Sequence, residues 1–135
     1  MRIIAIDLGL KRIGLAYTAE GTIVTPLPAV ERRNRHQAAA EVNACISEWK
    51  AEAVVIGIPM GGSSEEEMRR RVAHFMNLVA FEGPLYYQDE SESSLEAQEL
   101  MRGVMKQKRD GRIDSLAAKI ILDRWLLTQE AEKYM

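Results

Sequence analysis

Four acids carry the chemistry this chain could do: Asp7, the adjacent pair Asp89 and Glu90, and Asp114. Phosphodiester hydrolysis needs a nucleophilic water and needs charge neutralised on the phosphate. Two divalent ions about 3.5–4 Å apart can supply both. Hard ions such as Mg²⁺ take oxygen ligands, so a few carboxylates drawn from distant parts of the chain suffice. Each acid also has a plainer reading: Asp114 would favour a helix N-terminus electrostatically, and Asp89-Glu90 could be loop acids ahead of a helix. Asp7 is harder to explain away. It ends the apolar run Ile3-Ile4-Ala5-Ile6, where an unpartnered charge is costly.

These acids can meet only if the chain folds to bring them together, and its patterning supplies the elements. Residues 2–6 read as a buried central strand. Arg12 to Ala19 reads as a second strand beyond a short turn flanked by Gly9 and Gly14. Thr22 to Leu27 reads as a third, closed by Pro26 and Pro28, giving an antiparallel meander. The period then changes. Ala38, Val42, Cys45, Ile46 and Trp49 recur at helical spacing. Ala53 to Ile58 is a buried parallel strand stopped by Pro59 and Gly61-Gly62. Met68, Val72, Phe75, Met76 and Val79 mark a second helix, and Pro84 to Gln88 a fifth strand running into Asp89-Glu90. Ser93 with Glu96 resembles a capping box opening a helix striped by Ala97, Leu100, Met101, Val104 and Met105. A last helix runs from about Ile113 toward Thr128, with Leu116, Ala117, Ile120 and Ile121 inward.

The order β-β-β-α-β-α-β-α predicts one α/β domain over 1–135. Its five-stranded mixed sheet, in the order 3-2-1-4-5, has helices on both faces, as in the ribonuclease H-like fold. In that order the ends of strands one and five lie two spacings apart, about 10 Å, which inward-leaning carboxylates can narrow. Alternation puts Asp89 and Glu90 on opposite faces, so one of the two is the expected ligand, and Glu90 has the longer reach. The small residues Ala117 and Ala118 would let the last helix approach the sheet closely and carry Asp114 to the same edge.

Cations flank these positions. Lys11 and Arg12 in the turn after Asp7 would grip phosphates, or serve as ordinary hairpin charges. The Gly61-Gly62 loop would let a nucleic-acid backbone come close, or simply precede a helix. Arg32-Arg33-Asn34-Arg35, Arg69-Arg70-Arg71 and Lys106-Gln107-Lys108-Arg109 form three short basic clusters, each on its own well explained as a solvated helix face. Lys108 and Arg109 of the last are candidate nucleic-acid contacts. The net charge of −2 permits a polyanionic partner without requiring one. Cys45 is the single cysteine and His36 and His74 the two histidines, which argues against a disulfide or a structural zinc cage. The absence of a secretory h-region, a membrane span, a nucleophile elbow or a P-loop predicts a cytoplasmic protein and argues against acyl hydrolases and P-loop NTPases.

The stretch from Asp7 to Ala16 resembles the opening D-x-G-x-K-R-I-G-x-A of the YqgF family of Holliday-junction-resolvase-like and ribosomal-RNA-precursor nucleases. Gly57-Ile58-Pro59-Met60, Asp89-Glu90 with Ser94-Leu95-Glu96-Ala97, and Ile113-Asp114-Ser115-Leu116-Ala117-Ala118 resemble its other motifs, so the likeness spans nearly the whole chain. It implies that Asp7, one of Asp89 and Glu90, and Asp114 ligate Mg²⁺ or Mn²⁺. It implies a nuclease that matures the 5′ end of small-subunit ribosomal RNA in association with the ribosome, or resolves branched DNA. Two departures bear on substrate positioning: Ser91 replaces the family's arginine, and Gly-Gly-Ser-Ser-Glu-Glu-Glu follows Met60 in place of N-x-D-G-[TS]. Ser91 keeps open a non-catalytic RNA-binding module. A D-x-G motif beside a first hairpin also occurs in actin-like ATPases, but those clamp nucleotide between two domains, more than 135 residues would supply.

Overall fold

A computed structural model describes residues 1–90, 99 and 111–133. Within them lie β1 (Ile3–Leu8), β2 (Arg12–Thr18), β3 (Val24–Glu31), α1 (Arg35–Glu48), β4 (Ala53–Ile58), α2 (Glu65–Val79), β5 (Leu85–Asp89) and α3 (Gly111–Lys133). The expected capping box at Ser93 and Glu96, the helix that follows it, and Lys108 and Arg109 fall outside the described residues.

The sheet order is β3-β2-β1-β4-β5, the order expected from the pattern. β1 is antiparallel to β2 and parallel to β4, and β4 is parallel to β5. β1 and β4 are apolar almost throughout because both of their faces are covered. Ile4, Ile6, Val54 and Ile56 pack with Val42, Val72 and Phe75 beneath α1 and α2. Ile3, Ala5, Ala53 and Val55 pack under Ala118, Ile121, Leu122 and Trp125 of α3. Alternation thus divides each central strand between two cores, as a period of two requires. The Trp125 ring meets Tyr86 of β5 with centroids 5.0 Å apart, fixing the middle of α3 against β5.

The largest differences from the sequence expectation lie in the antiparallel meander. β3 does not close at Pro26 but runs to Glu31 with Pro26 and Pro28 inside it. It is the edge strand, paired to β2 alone, where a missing N–H is tolerated. The register also slips between Ile13 opposite Val30 and Leu15 opposite Leu27, a bulge with one extra residue on β3. Gly14, expected to flank a turn, instead lies inside β2 opposite Asp7.

Candidate acidic site at the carboxyl edge of the sheet

Asp7 sits one residue from the end of β1, on the face covered by α3. Ile6 opposite Ile56 closes the β1–β4 ladder, and Asp7 and Gly57 follow it at the strand ends. β5 extends the pattern: its Tyr87 packs toward α1 and α2, so Asp89 turns to that side and Glu90 to the α3 side. The Glu90 amide still donates to the Ile58 carbonyl at 2.9 Å, which holds the residue in line with the sheet. Its Cβ stands directly above Gly57. A side chain at 57 would collide with Glu90 Cβ and with Ile121. With glycine there, the two carboxyl groups reach hydrogen-bonding distance across β4.

That contact sets the electrostatics. Burial, the Asp7 charge, the hydrogen bond to Asp7 and the Asp89 charge, in that order of size, push Glu90 up to about 9. A proton shared between two carboxylates is how such a pair tolerates proximity without a cation. Asp89 lies on the other face, and its Oδ1 accepts a hydrogen bond from the Met60 amide at 3.2 Å, tying the β4–α2 loop to β5.

Asp114, in the first turn of α3, is buried. Its backbone rests on Gly14, the register partner of Asp7, so α3 brings it to the same end and face of the sheet. Its carboxylate is committed to Arg12, whose Nε donates to Oδ2 at 3.1 Å while Nη1 lies 3.8 Å from Glu31. Arg12 therefore holds Asp114, a role its place at the start of β2 does not disclose. Next to it, the Ser115 hydroxyl accepts from the Leu15 amide at the β-bulge, a second pin between α3 and β2. Gly9, Leu10, Lys11, Arg12 and Asp114 line an open cleft of about 350 Å³, with Lys11 exposed. Gly61 has φ +79° and its amide donates to Glu65 Oε1 at 2.7 Å; neither Gly61 nor Gly62 has a neighbour where a Cβ would stand.

The site thus joins Asp7 and Glu90, brings the Asp114 backbone against Gly14 with its carboxylate held by Arg12, and turns Asp89 away. Among the described residues no three acidic, histidine or cysteine side chains surround one point closely enough to enclose a metal. The Asp7–Glu90 pair still fits a hard divalent ion. It is all oxygen, largely desolvated, and under a like-charge repulsion that a cation would relieve. Mg²⁺ is commonly held by one or two carboxylates with water and substrate phosphate completing its shell.

The shared proton has a measurable consequence. In the metal-free protein, folded Glu90 keeps a proton that the unfolded chain releases above its ordinary value of 4.5. The native state binds more protons between about 4.5 and 9, so stability is greatest below that window and falls as pH rises through it. Thermal melts in EDTA should show the melting temperature descending across the window, and a Glu90→Gln variant should lose most of that slope. Parallel slopes in the two proteins would mean that Glu90 carries no shared proton.

Gly57 has its own test. A Cβ there would overlap Ile121 Cδ1 and stand 2.9 Å from Glu90 Cβ. Gly57→Ala should push Glu90 off Asp7, and for a Glu90 that serves hydrolysis a displacement of about 1 Å would cost on the order of a hundredfold in rate. Single-turnover cleavage by folded protein checks this, and an unchanged rate would detach Glu90 from the chemistry.

A family model described as RuvX, Holliday junction resolvase, matches residues 1–128. A curated relative from Sulfurimonas denitrificans is 68% identical over 126 residues, covering 93% of this chain and 97% of that protein. Another, from a Sulfurovum species, is 52% identical over 126 residues, covering 93% and 98%. Both bear the name "Putative pre-16S rRNA nuclease". Among solved structures, T. thermophilus RuvC in complex with Holliday junction substrate superposes with a TM-score of 0.59 at 19% identity over 96% of each chain. The fowlpox virus resolvase with Holliday junction DNA gives 0.55 at 9% identity over 96% of this chain and 99% of that one. At those identities the structural likeness establishes the fold.

Proposed function

The chain belongs to the RuvX family of Holliday junction resolvases, and on that footing we propose that it is a divalent-metal-dependent nuclease acting on the 5′ end of pre-16S rRNA. The observation that carries the chemistry is the Asp7–Glu90 carboxyl pair meeting above Gly57 at the carboxyl edge of the sheet. The observation that carries the substrate is the name shared by relatives up to 68% identical over nearly their whole length.

In this reading Asp7 and Glu90 hold Mg²⁺ or Mn²⁺, and Asp114 is the third acid of the site. A cation held there would supply activation of water and neutralisation of charge on the leaving oxygen. The chain's own contribution is placement. β1 and β5 fix Asp7 and Glu90, Gly57 leaves room for the Glu90 Cβ, and Arg12 keeps Asp114 oriented toward the cleft. Asp89 adds negative charge from the opposite face and anchors the Met60 loop. Lys11, exposed on the cleft, and the open Gly61-Gly62 loop are proposed backbone contacts. Arg12 contributes through Asp114, and Lys108 and Arg109 are proposed contacts on the strength of the sequence. No described helix is long and apolar enough to cross a membrane, and work on rRNA precursors would be cytoplasmic and close to the ribosome.

Resolution of four-way DNA junctions is the second reading, favoured by the family description and by the resolvase fold. One experiment separates them. Purified protein with Mn²⁺ is given a 5′-extended 16S precursor RNA and a four-way DNA junction in parallel. Cleavage of the RNA that is abolished by EDTA supports the proposal, and cleavage of the junction alone replaces it with the second reading. Cleavage of neither, with RNA still bound, leaves a non-catalytic RNA-binding module.

A further inference from the structure

Two basic clusters that lie far apart in the chain converge beside the acidic edge, and from this we infer that Arg32, Arg35 and Arg71 form a platform for the phosphates of an RNA strand flanking the cut. The inference takes the identity of the polyanion from the nuclease reading. The platform is built on the opposite side of the β1–β2 turn from Asp114. Arg32 is bound to that turn twice: its amide donates to the Lys11 carbonyl at 2.9 Å and its Nη1 to the Gly9 carbonyl at 2.7 Å. Gly9 is two residues from Asp7, at most about 7 Å of extended backbone. The Arg32 guanidinium also lies over the Phe75 ring of α2, 5.7 Å from its centroid, which brings it among the side chains of the second basic cluster. Arg35 opens α1 and reaches across to α2, where its Nη1 lies 3.0 Å from His74 Nε2.

The neighbouring arginines show what is unusual here. Arg33 pairs with Glu41, and Arg69 with Glu65 at 2.9 Å, so these two are neutralised by acids of their own surroundings. Among the described residues no carboxylate lies within ion-pair distance of Arg32, Arg35 or Arg71. Arg71 instead meets the Met68 sulfur, at 3.4 Å. Burial, together with the charges of Arg71 and Arg35, holds Arg32 below the ordinary arginine range. Mutual repulsion among clustered guanidinium groups is a standing cost that a bound polyanion would offset. There is also a need for such a surface. Asp7 and Asp89 at this edge repel an approaching phosphodiester, and the chain as a whole carries −2. A local positive ridge leading to the acids would draw the strand in and hold it there.

The test is a fluorescence-anisotropy titration of labelled single-stranded RNA in EDTA over a NaCl series. The Arg35→Gln/Arg71→Gln double variant should bind on the order of tenfold more weakly. Its slope of log K against log salt should be shallower by about 1.4, roughly 0.7 for each phosphate of a single strand that is no longer neutralised. Arg2→Gln, at the opposite end of the sheet and paired with Glu52, should leave both unchanged. Should the double variant misfold, the exposed single substitution Arg35→Glu should weaken binding in the same direction. Affinity and slope unaltered by these changes, or no RNA binding by the parent protein, would overturn the platform. The nuclease reading fails separately. A parent that binds RNA through these arginines but never cuts it keeps the platform and loses the catalytic centre. A parent whose cutting shows the same KM in the double variant keeps the centre and loses the platform.

Discussion

An Asp7→Asn variant is expected to cut RNA at least a thousandfold more slowly than the parent while melting no lower. Asn has the shape of Asp and keeps a hydrogen-bonding partner for Glu90, so neither the β1–β4 ladder nor the cores on either side of it are disturbed. What changes is charge. Loss of one of the two proposed ligands should remove several kcal/mol of transition-state stabilisation, and about 4 kcal/mol is a factor of roughly a thousand. In the same variant Glu90 no longer faces a like charge. The fall of stability with rising pH should therefore become shallower, though less so than in Glu90→Gln, because burial, the largest cause of the raised Glu90 value, remains. Activity and stability thus move in opposite directions, which a merely structural Asp7 would not produce. Single-turnover cleavage in Mn²⁺ and melts in EDTA make the comparison, and parental activity in Asp7→Asn would remove the proposed centre.

The arrangement behind these opposed effects is partly legible in the sequence. An apolar run ending in an acid marks a central strand with a charge at its edge, and the alternation rule puts Asp89 and Glu90 on opposite faces, as they are. β4 occupies the residues its pattern predicts because a strand buried on both sides is apolar at every position. Other features cannot be read in one dimension. Pro26 and Pro28 usually close a strand, and only the place of β3 at the sheet edge explains why they do not. Arg12 resembles a free hairpin cation because its partner Asp114 is 102 residues away. Arg32, Arg35 and Arg71 resemble ordinary solvated charges because local sequence shows that acids are near but not which arginine each acid takes. The glycines are harder still. A glycine in a sequence says that a side chain is missing, not what occupies its place.

Gly14 is where that distinction has the largest effect on stability, and Gly14→Ala is expected to lower the melting temperature by about 10 °C. A Cβ at this position would overlap the Asp114 carbonyl and stand 2.9 Å from the Ser115 nitrogen. Both obstacles are backbone, so no rotamer change can relieve them, and α3 must lift from β2. Ordinary overpacking costs about 1–3 kcal/mol. A displaced helix backbone belongs at or above the upper end of that range, and about 3 kcal/mol corresponds to roughly 10 °C for a chain of this size. Lifting α3 also stretches the Arg12–Asp114 ion pair and the Leu15–Ser115 hydrogen bond, and loosens Ala118 and Ile121 from the sheet. Gly62→Ala is the matched comparison. Nothing lies within 4 Å of the point its new methyl would occupy, and a surface change of that kind stays within about 0.5 kcal/mol. Calorimetry on the two variants decides the matter. If Gly14→Ala melts with Gly62→Ala, the first turn of α3 does not bear on β2, and Asp114 has no fixed place beside Asp7.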